Sequence, residues 1–243
     1  MDKSIIITGI GKGFGKELFK DLQKEKYYII GITKSKEDKL KLMKLISNNS
    51  AEIHFFDITN TNKLKIFFSK LKKRKIKIWG LINNAGIRLK KDFFKITENE
   101  VIRALKVNAI APLLLTQMVI PLMGKTGGRI INVSSIISDR SLPNLCGYAM
   151  SKNSLNSLTK SSALELSKLK ITVNAIAPGF CQTSYFQNFL KDKVRSKFIL
   201  NKIPMQRWGS SKEIVGLVSF LLSKKSDYMT GNIIPLDGGW SSW

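Results

Sequence analysis

The chain is predicted to fold as an α/β protein, a doubly wound parallel sheet with helices on both faces, on three observations. Short apolar, β-branched runs alternate with helix-length stretches along all 243 residues, the pattern that a parallel sheet with crossover helices requires. The first of these runs flows directly into a glycine-rich turn and then a helix-length stretch. Prolines and glycines punctuate turns and form no linker, so residues 1–243 read as one domain, long enough for a well-buried core.

Taken in order, Ser4 to Ile7 is the first strand-like run. Thr8-Gly9-Ile10-Gly11-Lys12-Gly13-Phe14-Gly15 follows, and Lys16 to Lys26 continues as a helix. Glycines allow positive φ and close backbone approach, and the helix start they open presents free N–H groups to a pyrophosphate. Three residues separate Gly9 from Gly13, where the commoner dinucleotide fingerprint has one. The remaining strand-like runs are Tyr28 to Ile32, Ile53 to Phe56, Ile78 to Ile82, Arg129 to Val133, Ile171 to Ala177 and Asn232 to Leu236.

Chemistry is suggested by Tyr148-Ala149-Met150-Ser151-Lys152, which follows Ser135 at the end of the run Arg129-Ile-Ile-Asn-Val-Ser-Ser135. On a helix, a four-residue spacing sets the Tyr148 phenol and the Lys152 ammonium on one face. A fixed positive charge favours the phenolate and brings a proton that normally titrates near ~10 within reach of neutral-pH chemistry. With the Ser135 hydroxyl nearby, this group is suited to protonate a carbonyl oxygen while hydride arrives at carbon.

Further motifs follow in order: Phe55-Phe56-Asp57-Ile58-Thr59, Leu81-Ile82-Asn83-Asn84-Ala85-Gly86, Val107-Asn108-Ala109, Ile176-Ala177-Pro178-Gly179 and Leu236-Asp237-Gly238-Gly239. With the glycine turn and the Tyr/Lys pair they resemble, from Ser4 to Trp240, the classical short-chain dehydrogenase/reductase family. Arg207-Trp208-Gly209, Lys212-Glu213-Ile214 and Tyr228-Met229-Thr230-Gly231-Asn232 look most like its 3-oxoacyl-[acyl-carrier-protein] reductases.

The resemblance implies a single-domain Rossmann fold binding a nicotinamide dinucleotide. Gly9, Gly11, Lys12, Gly13, Phe14 and Gly15 would hold the pyrophosphate. Asp57 and Ile58 would meet the adenine, and Asn83, Asn84, Ala85 and Gly86 would floor the adenosine ribose. Pro178, Gly179 and Thr183 would flank the nicotinamide. Asn108, Ser135, Tyr148 and Lys152 would be catalytic. Ser135 donates to the substrate oxygen, Tyr148 is the general acid, and Lys152 biases Tyr148 and orients the nicotinamide ribose. Asn108 holds a water relay, with a polar residue that bends a helix as its plainer reading. Ser134 competes with Ser135, and the spacing to Tyr148 favours Ser135.

At the ribose end the family's acid would stand at Thr33, which is neutral, and Lys34 and Lys12 add cations, so NADPH is expected over NADH. Enoyl reductases of the superfamily use a longer Tyr-to-Lys spacing, which leaves carbonyl/alcohol interconversion. The expected reaction is reduction of a 3-oxoacyl thioester on acyl carrier protein. The alternative is a polar ketone or alcohol such as a sugar, polyol or sugar-nucleotide intermediate. Residues 136–147 would wall the pocket, with Ser138 where relatives often have glycine, and Asp139 and Arg140 either polar pocket groups or solvated loop charges. Phe180, Tyr185 and Phe186, within a lid at about 180–204, would cover it. Homodimers or homotetramers are expected through Asn153 to Leu169 and Ile233 to Trp240, with a neighbour covering Trp240 and Trp243.

A net charge of +24 raises nucleic-acid binding, with Lys70-Leu-Lys-Lys-Arg-Lys-Ile-Lys77 as its strongest support. Only seven of the 41 basic residues are arginine and the run lacks aromatics, so a solvated face and no nucleic-acid partner are expected. Cys146 and Cys181 make no disulfide framework, and His54, the only histidine, reads as structural, so no metal is expected. No signal segment and no apolar run near membrane-span length are read, and a cytoplasmic location is expected.

Overall fold

A computed structural model describes residues 3–46, 49–183 and 192–242. The chain runs β1 (Ser4–Thr8), α1 (Gly13–Lys24), β2 (Tyr28–Thr33), α2 (Lys36–Met43), β3 (Ala51–Phe55), α3 (Thr61–Lys73), β4 (Ile78–Asn83), α4 (Glu98–Leu105), α5 (Ala111–Met123), β5 (Gly128–Val133), α6 (Cys146–Leu166), β6 (Ile171–Pro178), β7 (Cys181–Gln182), α7 (Lys193–Lys202), β8 (Gly209–Ser210), α8 (Glu213–Leu222) and β9 (Ile233–Leu236). Seven strands form one parallel sheet in the order β3-β2-β1-β4-β5-β6-β9. Each strand-like run of the sequence becomes one of them.

Burial on both faces explains why these strands read as unbroken apolar runs. In β1, Ile6 enters one core with Ile30, Leu81 and Ile130, which α3, α5 and α6 cover through Phe67, Leu115, Val119 and Leu166. Ile5 and Ile7 enter the other with Ile29, Ile82 and Ile131, covered by α1 and α8 through Leu18, Phe19, Leu22, Val218 and Leu221. Strand order reverses between β1 and β4. The loops leaving the carboxyl ends of those neighbours must diverge to opposite faces, which opens a crevice there.

One expectation is corrected. Glu98–Met123 is one helical stretch long and apolar enough to cross a membrane by length and composition, contrary to the sequence reading. One side of it is spent on the core, where Ala104, Ala111, Leu115, Val119 and Leu122 are buried and α5 packs on β4, while Ile102, Ile110 and Leu113 are exposed. Trp240 is partly buried within its own chain, against Phe180 at 4.8 Å between ring centroids and the cluster of Ile136, Ile137 and Leu145. Trp243 lies outside the described residues. The lysine-rich run closes α3 with its cations exposed and Leu71 in the core, and Arg74 pairs with Glu52 at 2.9 Å.

Candidate active site

The crevice, about 420 Å³, is lined along its length by the sequence-predicted positions other than Gly15, Asn83 and Asn108, which lie behind its wall. At its floor the glycine turn is pressed against the end of β4. Gly9 has φ +72°, and a Cβ on it would fall 2.8 Å from Ala85 Cα; one on Gly15 would fall 2.2 Å from the Gly9 carbonyl oxygen. Neither position has space for a side chain. Thr8 Oγ1 accepts the Asn84 and Ala85 N–H groups at 3.1 and 3.0 Å, and Asn84 Nδ2 donates to the Thr8 and Gly9 carbonyl oxygens at 2.9 and 3.0 Å. The start of α1 is thus a fixed cradle of N–H groups, with no room for a side chain at Gly9 or Gly15, suited to a pyrophosphate. Gly11, Lys12, Gly13, Phe14, Asn84, Ala85 and Gly86 line it. Asn83 does not: it is buried below and donates to Asn132 Oδ1 at 2.8 Å, tying β4 to β5.

The adenosine end is lined by Thr33, Lys34, Asp57 and Ile58. Thr33 is buried, and its Oγ1 accepts the Ser35 N–H at 3.2 Å. Lys34 and Lys12 are exposed. Burial raises the Asp57 pKa, but the Thr59 N–H and hydroxyl, at 2.9 and 2.8 Å, with Lys34 and Arg103, outweigh it and hold the carboxylate below its usual range. An acid is also present that the sequence reading missed. Asp38, in the first turn of α2, lines the crevice, and its Oδ2 lies 2.2 Å from where a Gly11 Cβ would fall. The signal was legible as Ser35-x-x-Asp38, a helix-start pattern, and the Asp38 N–H does bond Ser35 Oγ at 3.0 Å.

At the other end Ser135, Tyr148 and Lys152 line one wall. Ser135 caps a short turn, Ile136–Ser138, its Oγ accepting the Ile137 N–H at 3.2 Å. Ser134 is turned toward α6 and donates to Asn156 Oδ1 at 2.6 Å. Lys152 is buried, Nζ donates to the Val133 carbonyl oxygen at 2.6 Å and lies 6.0 Å from the Tyr148 ring centroid. Burial pulls its ammonium from the usual 10.5 to about 8. Asn108 is fully buried in a π-helical turn, Lys106–Ile110, between α4 and α5. Its Nδ2 donates to the Ile87 carbonyl oxygen and to Ser151 Oγ, both at 2.9 Å, and its Oδ1 accepts the Ile87 N–H at 2.8 Å. Gly86 separates Asn108 from Lys152: a Cβ there would lie 3.1 Å from Asn108 Oδ1 and 3.4 Å from Lys152 Nζ.

Pro178, Gly179 and Thr183 line the upper wall. The Thr183 side chain reaches across toward Gly13, where a Cβ would sit 3.7 Å from it. β7 pairs with β8, Cys181 with Gly209 and Gln182 with Ser210, two-residue strands too short to leave a sequence pattern. Arg207, at 2.7 Å, and the Ser210 N–H, at 2.6 Å, bind Glu213 and hold its pKa down to about 2. This fixes Trp208, which meets Phe180 edge-on at 6.0 Å and lines the crevice, another residue that sequence reasoning missed. Burial pushes the Cys181 thiol up to about 11. Asp139 and Arg140 are exposed, and Arg140 donates to the Ser241 carbonyl oxygen at 3.0 Å, so neither is among the lining residues. Tyr185 and Phe186 lie outside the described residues.

A family model described as enoyl-(acyl carrier protein) reductase matches residues 9–241. The 3-oxoacyl-[acyl-carrier-protein] reductase of Thermotoga maritima is 33% identical over 240 residues, 98% of this chain and 97% of that protein. The 2-dehydro-3-deoxy-D-gluconate 5-dehydrogenase of Bacillus subtilis is 34% identical over 244 residues, 99% and 95% of the two. Among solved structures, 4-hydroxyisoleucine dehydrogenase complexed with NADH superposes with a TM-score of 0.94 at 27% identity, covering 100% of both chains. A cradle shaped for a dinucleotide, a Tyr/Lys pair at the carboxyl edge of the sheet and these full-length likenesses agree: the chain belongs to the short-chain dehydrogenase/reductase family and is an NAD(P)-dependent oxidoreductase of carbonyl and alcohol groups.

Proposed function

We propose that the protein reduces the keto group of a 3-oxoacyl thioester, carried on acyl carrier protein, with NADPH. The observation that carries this reading is the apolar wall facing Ser135 and Tyr148, made by Ile136, Ile137, Phe180 and Trp208, which suits an acyl chain better than a polyol. Bound NADPH supplies the hydride. The chain's residues supply everything at the oxygen. Because Ser135 Oγ serves the Ile137 N–H as acceptor, its own proton is left free to be donated to the substrate oxygen. The Tyr148 phenol delivers the proton, and the Lys152 ammonium, held by the Val133 carbonyl, favours the phenolate left behind. Asn108 clamps Ile87 to Ser151 and so keeps the floor beside Lys152 in place. The preference for NADPH rests on Lys12 and Lys34 at a ribose end whose strand carries neutral Thr33, two cations set against the single Asp38 carboxylate in the same lining. An excess of 24 positive charges suits an acidic carrier.

A polar ketone or sugar acid is the second reading, favoured by the sugar-acid dehydrogenase relative at comparable identity and by Arg88 in the crevice lining. An absorbance assay with NADPH separates the two: acetoacetyl and longer 3-oxoacyl thioesters turned over support the first, and no turnover at any chain length with reduction of 5-keto-D-gluconate replaces it. Lys34→Asp is expected to lower the NADPH-to-NADH ratio of kcat/KM about tenfold or more by charge reversal, and an unchanged ratio removes Lys34 from cofactor choice. We further infer a homodimer or homotetramer, because Met150 and Leu164 on α6 and Ile110 and Leu113 around the start of α5 are exposed apolar side chains. A stable monomer in sedimentation at micromolar concentration rejects it.

A further inference from the structure

Behind Ser135 runs a hydrogen-bond circuit that the chemistry above does not use. The Ser134 hydroxyl donates to Asn156 Oδ1 at 2.6 Å, Asn156 Nδ2 donates to Ser138 Oγ at 2.8 Å, and the Ser138 hydroxyl donates to the Ser135 carbonyl oxygen at 2.6 Å. Asn153 Nδ2 adds a bond to the Ser138 carbonyl oxygen at 3.1 Å. The serines are 3%, 7% and 7% exposed at 134, 135 and 138, so water competes poorly for these groups. A carboxamide offers an acceptor at one end and donors at the other, which gives the circuit a single sense: the Ser134 hydroxyl donates to Asn156, and the Ser138 hydroxyl accepts from Asn156 and donates onward. The circuit ties the residues on either side of Ser135 to α6, one turn beyond Lys152.

We propose that Ser138 and Asn156 are positioning residues for Ser135. Tyr148 and Lys152 ride on α6, whereas Ser135 leaves the end of β5 on a turn with only a short helical segment to hold it. Asn156 and Ser138 lock that turn to the helix and so fix the separation of the two hydroxyls that meet the substrate oxygen. The circuit touches neither the pyrophosphate cradle nor the ribose end, so its effect falls on turnover and not on cofactor affinity. This inference rests on carbonyl chemistry at Ser135 and is independent of which carbonyl is the substrate.

The test is a double-mutant cycle. Asn156→Leu and Ser138→Ala are each made alone and on Ser135→Ala, and kcat and KM are measured with NADPH and acetoacetyl-CoA, or with 5-keto-D-gluconate where that is the ketone the unmodified protein reduces. NADPH affinity is read separately by fluorescence. With Ser135 present, Asn156→Leu is expected to lower kcat about tenfold by misplacing a donor, with NADPH affinity unchanged. On Ser135→Ala the same change is expected to cost less than about twofold, since nothing remains to be positioned. Equal losses in both backgrounds, or an unchanged kcat for Asn156→Leu, overturn the proposal. Should Asn156→Leu fail to fold, Ser138→Ala removes one oxygen only and carries the same cycle. Failure of the thioester reading shows instead as an unmodified protein inactive on acetoacetyl-CoA.

Discussion

The two ends of the crevice are made differently. The pyrophosphate cradle is backbone held at contact distance: Gly9 against Ala85, Gly15 against the Gly9 carbonyl, Asn84 bonded to both turn carbonyls. The substrate end is side chains from distant segments, Ile136, Ile137, Phe180 and Trp208, resting on one another and on Trp240. At Gly9 and Gly15 the first tolerates no added atom, and the second is shaped by atoms that can be removed. Between them stands the Tyr148/Lys152 pair, fixed by helix geometry and burial.

The largest effect is expected where the two ends meet. Tyr148→Phe keeps the ring and removes the acid, so turnover should fall about 10³-fold, within the range for general acid catalysis, while NADPH still binds. Steady-state kinetics with a fluorescence titration checks both, and near-normal turnover excludes Tyr148 from proton delivery. Next is Lys152, measured in a Tyr148→Phe background so that the neighbouring phenol does not titrate with it. Its folded pKa, about 8, lies below the ordinary 10.5. Between those values the unfolded chain binds more protons, so stability rises as pH goes from about 8 to 10.5, and below about 8 the burial penalty is present in full. Lys152→Met should therefore gain up to about 3 kcal/mol more at pH 7 than at pH 10.5. Urea unfolding at the two pH values tests this, and a pH-independent difference contradicts it.

Smaller effects sharpen the contrast between the ends. Gly15→Ala forces a Cβ onto the Gly9 carbonyl, an overpacking cost of about 1–3 kcal/mol that should appear as a 10- to 100-fold weaker NADPH affinity at nearly constant substrate KM. Trp208→Ala should do the reverse, raising substrate KM roughly five- to tenfold through lost apolar contact while NADPH affinity stays constant. A matching pair of calorimetric and kinetic measurements decides it. If both variants change both constants, the two ends are one mechanical unit and the comparison fails.

The same contrast explains what the sequence made legible. Strands buried on both faces, such as Ile5-Ile6-Ile7 and Ile29-Ile30, announce themselves as apolar runs. Glycines forced by contact, and Tyr148 and Lys152 one helical turn apart, carry their meaning in spacing. Trp208 and Phe180 have no such spacing, because their contact is made by a two-residue strand pair. Asp38 was hidden by having a sufficient local reason to exist at the start of α2. Asn83 and Asn84 look equivalent in sequence, yet β4 sends one amide into the sheet and the other into the crevice.

The five-residue turn at Lys106–Ile110 has a consequence for how this chain can vary. Each residue of an α-helix advances the azimuth by about 100°, so losing one residue there would restore regular winding at the expense of phase. Asn108 would swing off the Ile87 strap, and every core contact of α5 beyond it would be re-aimed. Length variation that a surface loop absorbs is therefore forbidden in the middle of this helix, and the spare residue acts as a phase spacer between the reaction floor and the hydrophobic layer beneath it.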